Sequence, residues 1–544
     1  MNNESKIRQD PDSSTSAEQM RTEIQEYLDV RNQRRRVFPR AALVGLFAGL
    51  VSVLFRFSLA GADSIRNDLI AWSQGYPAWG WIFPMLFGAT GAFLSVVLVR
   101  KYAPETSGSG IPHLEAVLHR FRQLHCRRVL PIKFLGGILA IGSGLAIGRE
   151  GPSVQMGGAV ADAVSRWLKV APLERLTLIA AGAGAGLSAA FNAPLAGLVF
   201  VLEEVRRDFR PIVFGAAFIA AASADIVACF ASGQTPVFLV PSYPTPPLSA
   251  LPAFTLLGII AGIVGVAFNR SLIGTLEIFS KLHGRWNFVA TALVGACAGL
   301  IGWYSPILVG GGHELSEKVL LGQVAWTSIL IWLVIRFLLT ITSYGTGAPG
   351  GIFAPLLGIG ALIGLGIGEA AAKLAPSVIE QPAVFAVVGM AAYFTAIVRA
   401  PLTGIVLILE MTGNYQQMLP LLVSCFAAYA VAEFLKELPI YEALLERDLM
   451  KGGIQLTIRE PTIFEFEIEP QSRFEGQIVR DLGLPAGCLL VKCVEGGREW
   501  IPTALTQLEA HMRIMAVIAP DAINSLKFLQ DGCKAREHDE YPDE

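Results

Sequence analysis

Three glycine- and proline-rich stretches carry the residue types from which an anion site can be made: "GSGIP" (108–112), "GREGP" (148–152) and "GGIFAP" (350–355). Gly108, Gly110, Gly148, Gly151 and Gly351 permit irregular backbone, and a proline follows in each case, Pro112 after Ile111, Pro152, and Pro355 after Ala354. Proline suits the first turn of a helix, where its missing N–H loses no partner. Each stretch therefore predicts a helix N-terminus with free backbone N–H groups, which binds anions without a cationic side chain. A mobile anion gains from this weakness, because a buried lysine would hold it too tightly for release. Tight loops in close helix packing would look the same one at a time; three together favour an anion site.

Arg149 and Glu150 stand side by side after "FLGGILAIGSGLAI", a run that reads as membrane, where charge is costly. A carboxylate is a tethered anion, so Glu150 can compete for a site built for a mobile one. Protonation neutralises it and favours its departure, so one group links proton movement to anion movement. The alternative is an ion pair with Arg149, but adjacent residues on a helix or turn do not face one another well. Arg149 itself receives no role from the sequence.

The elements that must hold these stretches are apolar. Of 544 residues, 53% are hydrophobic and 16% charged, less charge than a soluble chain of this length carries. Apolar segments recur from about residue 41 to about residue 435, which predicts an all-α polytopic membrane protein. With 55 glycines and 31 prolines, many segments are interrupted or too short for a hydrocarbon core of about 30 Å. Irregular backbone at that depth survives where it is buried in protein or lines a cavity, so broken spans point to a transport path. The formal net charge of −2 says nothing about partners. The seven cysteines (126, 229, 297, 425, 488, 493, 533) have no metal-ligand spacing and read as free thiols. The first 36 residues read as a polar tail without a cleavable signal; "RNQRRR" predicts a cytoplasmic N-terminus, with "HRFRQLHCRR" and "RRDFR" on the same side.

The chain also repeats itself. Ala193, Pro194, Leu195, Gly197 and Glu203 match Ala400, Pro401, Leu402, Gly404 and Glu410 at one constant offset. A weaker echo links "GREGPSVQMGG" to "GGIFAPLLGIG". Interrupted segments at corresponding positions of two halves point to a transporter binding site. The expected organisation is a membrane domain over 37–449, with repeat halves near 37–235 and 251–445. A small C-terminal α/β soluble domain is expected over 450–530, with a disordered tail from 531 to 544. "TIFEFEIEP" alternates as a half-buried strand, "GCLLVKCV" and "RIMAVIAP" read as further strands, and "TALTQLEAH" as a short helix or turn.

The three stretches, in this order, resemble the selectivity-filter signature of the CLC family of chloride channels and proton-coupled chloride exchangers. The resemblance spans roughly 37–445 and includes "AFNAPLAG", "LEE" and "LPIYEALL". It implies a homodimer with one anion pathway per subunit and two inverted-topology halves in each; an inner-membrane location with both termini cytoplasmic is expected. It implies that the Ser109 hydroxyl and the Tyr441 phenol contact chloride and that Ile352 and Phe353 offer backbone N–H groups. It makes Glu150 the gating glutamate and Glu204 the inner proton-transfer glutamate, a role its neighbour Glu203 could share; Glu410 suggests a structural function common to both repeats. His113 stands where the family commonly has glutamate, Lys133 would add positive potential along the path, and Arg336 and Arg399 are expected to be paired or at a boundary. Residues 462–520 resemble a TrkA-C regulatory module, which implies an unidentified small ligand or dimer contacts. Chloride, protons and lipid are the expected partners, with no cofactor, metal or nucleic acid.

Two other readings compete with the exchanger. A passive voltage- or pH-gated chloride channel would have the same fold, although channels usually lack the inner glutamate. An intramembrane hydrolase using Ser109 and His113 would need the base within hydrogen-bond reach of the nucleophile, yet Ser109 precedes the expected helix start. A potassium path has no TVGYG-type carbonyl filter in this chain.

Overall fold

A computed structural model describes residues 11–241, 243–451, 462–495, 498–519 and 522–534. They divide into two units, one of residues up to Leu118 with Leu124–Leu445, the other of His119–Gln123 with the chain from Glu446 onward.

The first unit is helical. Its elements are α1 (Pro11–Ser73), α2 (Ile82–Tyr102), α3 (Ile111–Leu118), α4 (Cys126–Gly142), α5 (Glu150–Trp167), α6 (Pro172–Phe191), α7 (Pro194–Phe200), α8 (Pro211–Ser232) and α9 (Leu251–Lys281). There follow α10 (Arg285–Tyr304), α11 (His313–Leu320), α12 (Trp326–Gly345), α13 (Phe353–Leu374), α14 (Ala383–Val398), α15 (Pro401–Thr412), α16 (Met418–Phe434) and α17 (Ile440–Lys451). Eight helices among the described residues are long and apolar enough to cross a membrane. Exposed Leu50, Leu54 and Phe57 on α1, and Leu330, Ile331 and Leu338 on α12, are what lipid-facing helices present. At a rise of about 1.5 Å per residue, α3, α7 and α11 are each about 12 Å long or less and cannot cross alone. From Pro11 onward the stretch expected as a polar tail is helical and continuous with α1, in a sequence rich in Glu, Gln and Arg, all good helix formers. Residues 1–10 lie outside the described residues.

Glycines let the paired helices approach. A Cβ added at Gly157 on α5 would fall on the backbone of Gly182 on α6, and one at Gly360 on α13 on the backbone of Gly389 on α14. Gly157 and Gly360 occupy the same place in the echo between "GREGPSVQMGG" and "GGIFAPLLGIG", so the two halves pack by the same device.

The stronger repeat is built twice in matching backbone. Asn192 and Arg399 both turn left-handed (φ 49° and 66°), Ala193 and Ala400 both have ψ 78°, and Pro194 and Pro401 start α7 and α15. The Glu410 carboxylate accepts from Leu195 N at 3.0 Å and Ala196 N at 2.7 Å. Glu203 accepts from Leu402 N at 3.1 Å and from Thr403 N and Oγ1, each at 2.7 Å. Each half thus caps the other half's short helix with a carboxylate at its positive end.

The second unit holds an antiparallel sheet of β1 (Thr462–Glu467), β2 (Cys488–Glu495), β3 (Arg498–Trp500) and β4 (Arg513–Ile518), in the order β1-β4-β2-β3. Phe464 stands opposite Ala516 and Phe466 opposite Ile514. "TALTQLEAH" forms turns and one isolated bridge, Ile478 to Gln507. The unanticipated α18 (Ile523–Cys533) corrects the disordered tail over 531–533: Leu526, Leu529 and Cys533 recur at helical spacing and pack on the sheet core. Residues 535–544 lie outside the described residues.

Candidate anion site and its flanking carboxylates

The three stretches meet. Gly148 N donates to Gly351 O and Gly351 N to Gly148 O, both at 2.7 Å, and Gly350 N donates to Gly108 O at 3.0 Å. Helices α3, α5 and α13 start at this junction, as their prolines predict. Two positions require glycine outright: Gly108 and Gly110 have φ of 63° and 81°, which a Cβ disfavours. Gly151 packs on Ser109, where an added Cβ would lie 2.9 Å from its Cα. Lys133 is wholly buried, and its Nζ donates to Thr106 O at 2.9 Å and Gly108 O at 2.7 Å. Its contacts therefore brace the first loop.

Ser109 is buried, with its Oγ accepting from Ile111 N at 3.3 Å and its own N–H donating to the Tyr344 hydroxyl at 3.3 Å. Ile352 and Phe353 form the buried entrance to α13. The Phe353 ring lies between Phe394 and Phe200, with centroids 4.8 and 5.5 Å away, and 6.0 Å from Tyr441. Tyr441, near the start of α17, is wholly buried, and its hydroxyl has no hydrogen-bond partner among the described residues. A buried hydroxyl left unpaired is costly, which fits a group that serves an ion. Tyr344 was not found from sequence; its position on an apolar helix gives no local sign of a partner 235 residues away.

Glu150 is buried and turns back on the junction, where its Oε2 accepts from Ala354 N at 3.4 Å. Arg149 points elsewhere: its Nη2 donates to Ala190 O at 3.2 Å, in the last turn of α6, where a cation is favoured. A cavity of about 330 Å³ is lined by Glu150 and Arg149 together with Arg56, Asp63, Arg66 and His313. The Glu150 carboxylate thus faces a cavity in which three arginines meet three carboxylates, Glu314 being the third. His113 packs on Gln155, with Nδ1 3.3 Å from Nε2, and the same amide donates to Glu105 O at 2.8 Å.

Glu204 lies on the π-helical turn Val201–Val205 that extends α7. It is buried, its Oε2 is 3.6 Å from Arg207 Nη2, and its Oε1 has no hydrogen-bond partner among the described residues. Its neighbour Glu203 is turned to α15 with both oxygens engaged. Glu115 on α3 and Glu442 on α17 are close enough to act on Glu204 electrostatically, and neither was singled out from sequence. The available signal for Glu115 was a lone carboxylate in "IPHLEAVL", a mostly apolar helix that is buried along its whole length. Arg399 is paired as expected, to Glu433 at 2.9 Å and Glu437 O at 2.9 Å. Arg336 is wholly buried and donates to Leu308 O at 3.1 Å.

Broken helices from two matching halves, with helix N-termini joined at depth, define a polytopic membrane transport protein. The chain belongs to the voltage gated chloride channel family, whose model matches residues 91–433. It is 41% identical over 421 residues to the H(+)/Cl(-) exchange transporter ClcA of Vibrio parahaemolyticus, covering 76% of this chain and 90% of that protein. It is 40% identical over 418 residues to the transporter of the same name from Citrobacter koseri, covering 76% and 88%. A crystal structure of a slow cyanobacterial Cl-/H+ antiporter superposes with a TM-score of 0.74 at 38% identity, over 76% of this chain and 98% of that one. Residues 463–529 match the TrkA-C domain.

Proposed function

We propose that this chain is a secondary active antiporter that exchanges chloride for protons across the cell's inner membrane. Chloride sits at the junction of the three loops, held by the Ser109 hydroxyl, the Tyr441 phenol and the backbone N–H groups of Ile352 and Phe353. Glu150 is the outer gate, and Glu204 passes protons at the inner end. The observation that carries this reading is the contact of Glu150 with Ala354 N: a carboxylate from one motif occupies a helix-terminal donor of another. A neutral Glu150 gives up that donor to an anion, so each proton taken up opens the place a chloride needs. Loop donors and a hydroxyl bind weakly enough for turnover. The functional unit is a homodimer with cytoplasmic termini, and the C-terminal unit binds a small ligand or contributes dimer contacts.

The test is the reversal potential of the purified protein in planar bilayers with opposed chloride and pH gradients. The expected value lies between the chloride and proton equilibrium potentials. A value that follows chloride alone at every pH gradient refutes exchange and supports the passive channel.

A further inference from the structure

The loop after Glu204 is arranged around one cation. Arg207 adopts φ 53°, a conformation unfavourable for a residue with a Cβ, and so brings its guanidinium to two carboxylates at once. Its Nη2 lies 3.6 Å from Glu204 Oε2, and its Nη1 pairs with Glu442 Oε1. The Glu204 side chain is 2% exposed, whereas those of Arg207 and Glu442 are 46% and 36% exposed. The cation therefore stands between a buried carboxylate and solvent. Four charged groups act on Glu204: Glu203 on its own turn, Glu115 on α3, Glu442 on α17, and Arg207, the cation shared by Glu115, Glu204 and Glu442. Glu442 directly follows Tyr441, whose buried hydroxyl has no hydrogen-bond partner among the described residues and whose ring lies 6.0 Å from that of Phe353.

We propose that Arg207 is a positioning residue for exchange: it orients and balances Glu204 and ties it, through Glu442, to the helix that carries Tyr441. This rests on the reading of Glu204 as the inner proton-transfer residue. Protonation of Glu204 removes one of the charges that Arg207 balances, so a proton's arrival at the inner end reaches the Tyr441 helix without a contact between Glu204 and chloride. A guanidinium is suited to this task because it engages two carboxylates in fixed geometry, which an ammonium does less well.

The test is proton-coupled chloride transport by full-length protein in vesicles, measured against internal pH, for wild type, R207Q, R207K, E442Q and E204Q. R207Q takes a cation from Glu204 and should move the internal-pH midpoint up by about one unit. R207K should move it the same way by less. E442Q removes a like charge and leaves Arg207 to Glu204 alone, so its midpoint should move down. A role confined to folding would lower rates without opposite midpoint shifts. Unmoved midpoints, or shifts of the same sign in R207Q and E442Q, overturn the proposal provided that E204Q has lost proton movement. Proton movement that survives in E204Q refutes the reading of Glu204 instead, and the proposal with it. If R207Q does not fold, R207K and E442Q carry the same opposite-sign test.

Discussion

Glu203 and Glu410 stand at matching places in the two halves, and each closes the positive end of the other half's short helix through two backbone N–H groups. Glu150 and Glu204 have no such counterparts. At the offset that pairs Gly148 with Gly351, Glu150 falls on Phe353; at the offset that pairs Glu203 with Glu410, Glu204 falls on Met411. Their bonding differs accordingly. The matched carboxylates each take two N–H groups of the opposite half, whereas Glu150 meets its own backbone N–H and Ala354 N at a long 3.4 Å, and Glu204 has one oxygen without a hydrogen-bond partner among the described residues. Symmetry holds the scaffold, and the two carboxylates proposed to change protonation state stand where symmetry is broken.

The contrast can be broken by mutation. E203A and E410A each leave two helix-terminal N–H groups without a charged acceptor and should each cost about 3 kcal/mol in a detergent unfolding titration, at about 1.5–3 kcal/mol per charged hydrogen bond. E204A should cost less than about 1 kcal/mol, since it removes a buried charge with one weak ion pair. Equal costs at Glu203 and Glu204 would erase the distinction between them. K133M comes next: two buried carbonyls lose their donor, so stability should fall by about 2–3 kcal/mol, with weaker chloride binding by calorimetry. G351A should cost about 1–3 kcal/mol, because the added methyl would stand 2.8 Å from Gly151 N and pry the central bridge apart. Y344F should have the smallest effect, about 1 kcal/mol or less, since the 3.3 Å bond to Ser109 N is long.

The loops were legible in the sequence because their chemistry is that of the backbone. Gly108, Gly110, Pro112, Pro152 and Pro355 announce helix starts locally, and those starts occur where the residues predict. The repeat was legible because both copies retain the same Pro, Gly and Glu. What escaped depends on contacts distant in sequence. Tyr344 reaches Ser109, Arg207 reaches Glu442 and Arg149 reaches Ala190, and no local pattern marks these partners. Lys133 was singled out from sequence for positive potential along the path, but its burial and its brace on Gly108 needed the tertiary fold. The second unit shows the same limit: alternating strands β1, β2 and β4 were readable, while three-residue β3 and α18 depend on the sheet they pack against.

The most direct measurement is the paired flux of chloride and protons through E150A in the same vesicles. Chloride should still run down its gradient, no longer sensitive to external pH, and proton movement should vanish. Protons still driven uphill by chloride in E150A would contradict the assignment of the gate to the carboxylate that breaks the symmetry.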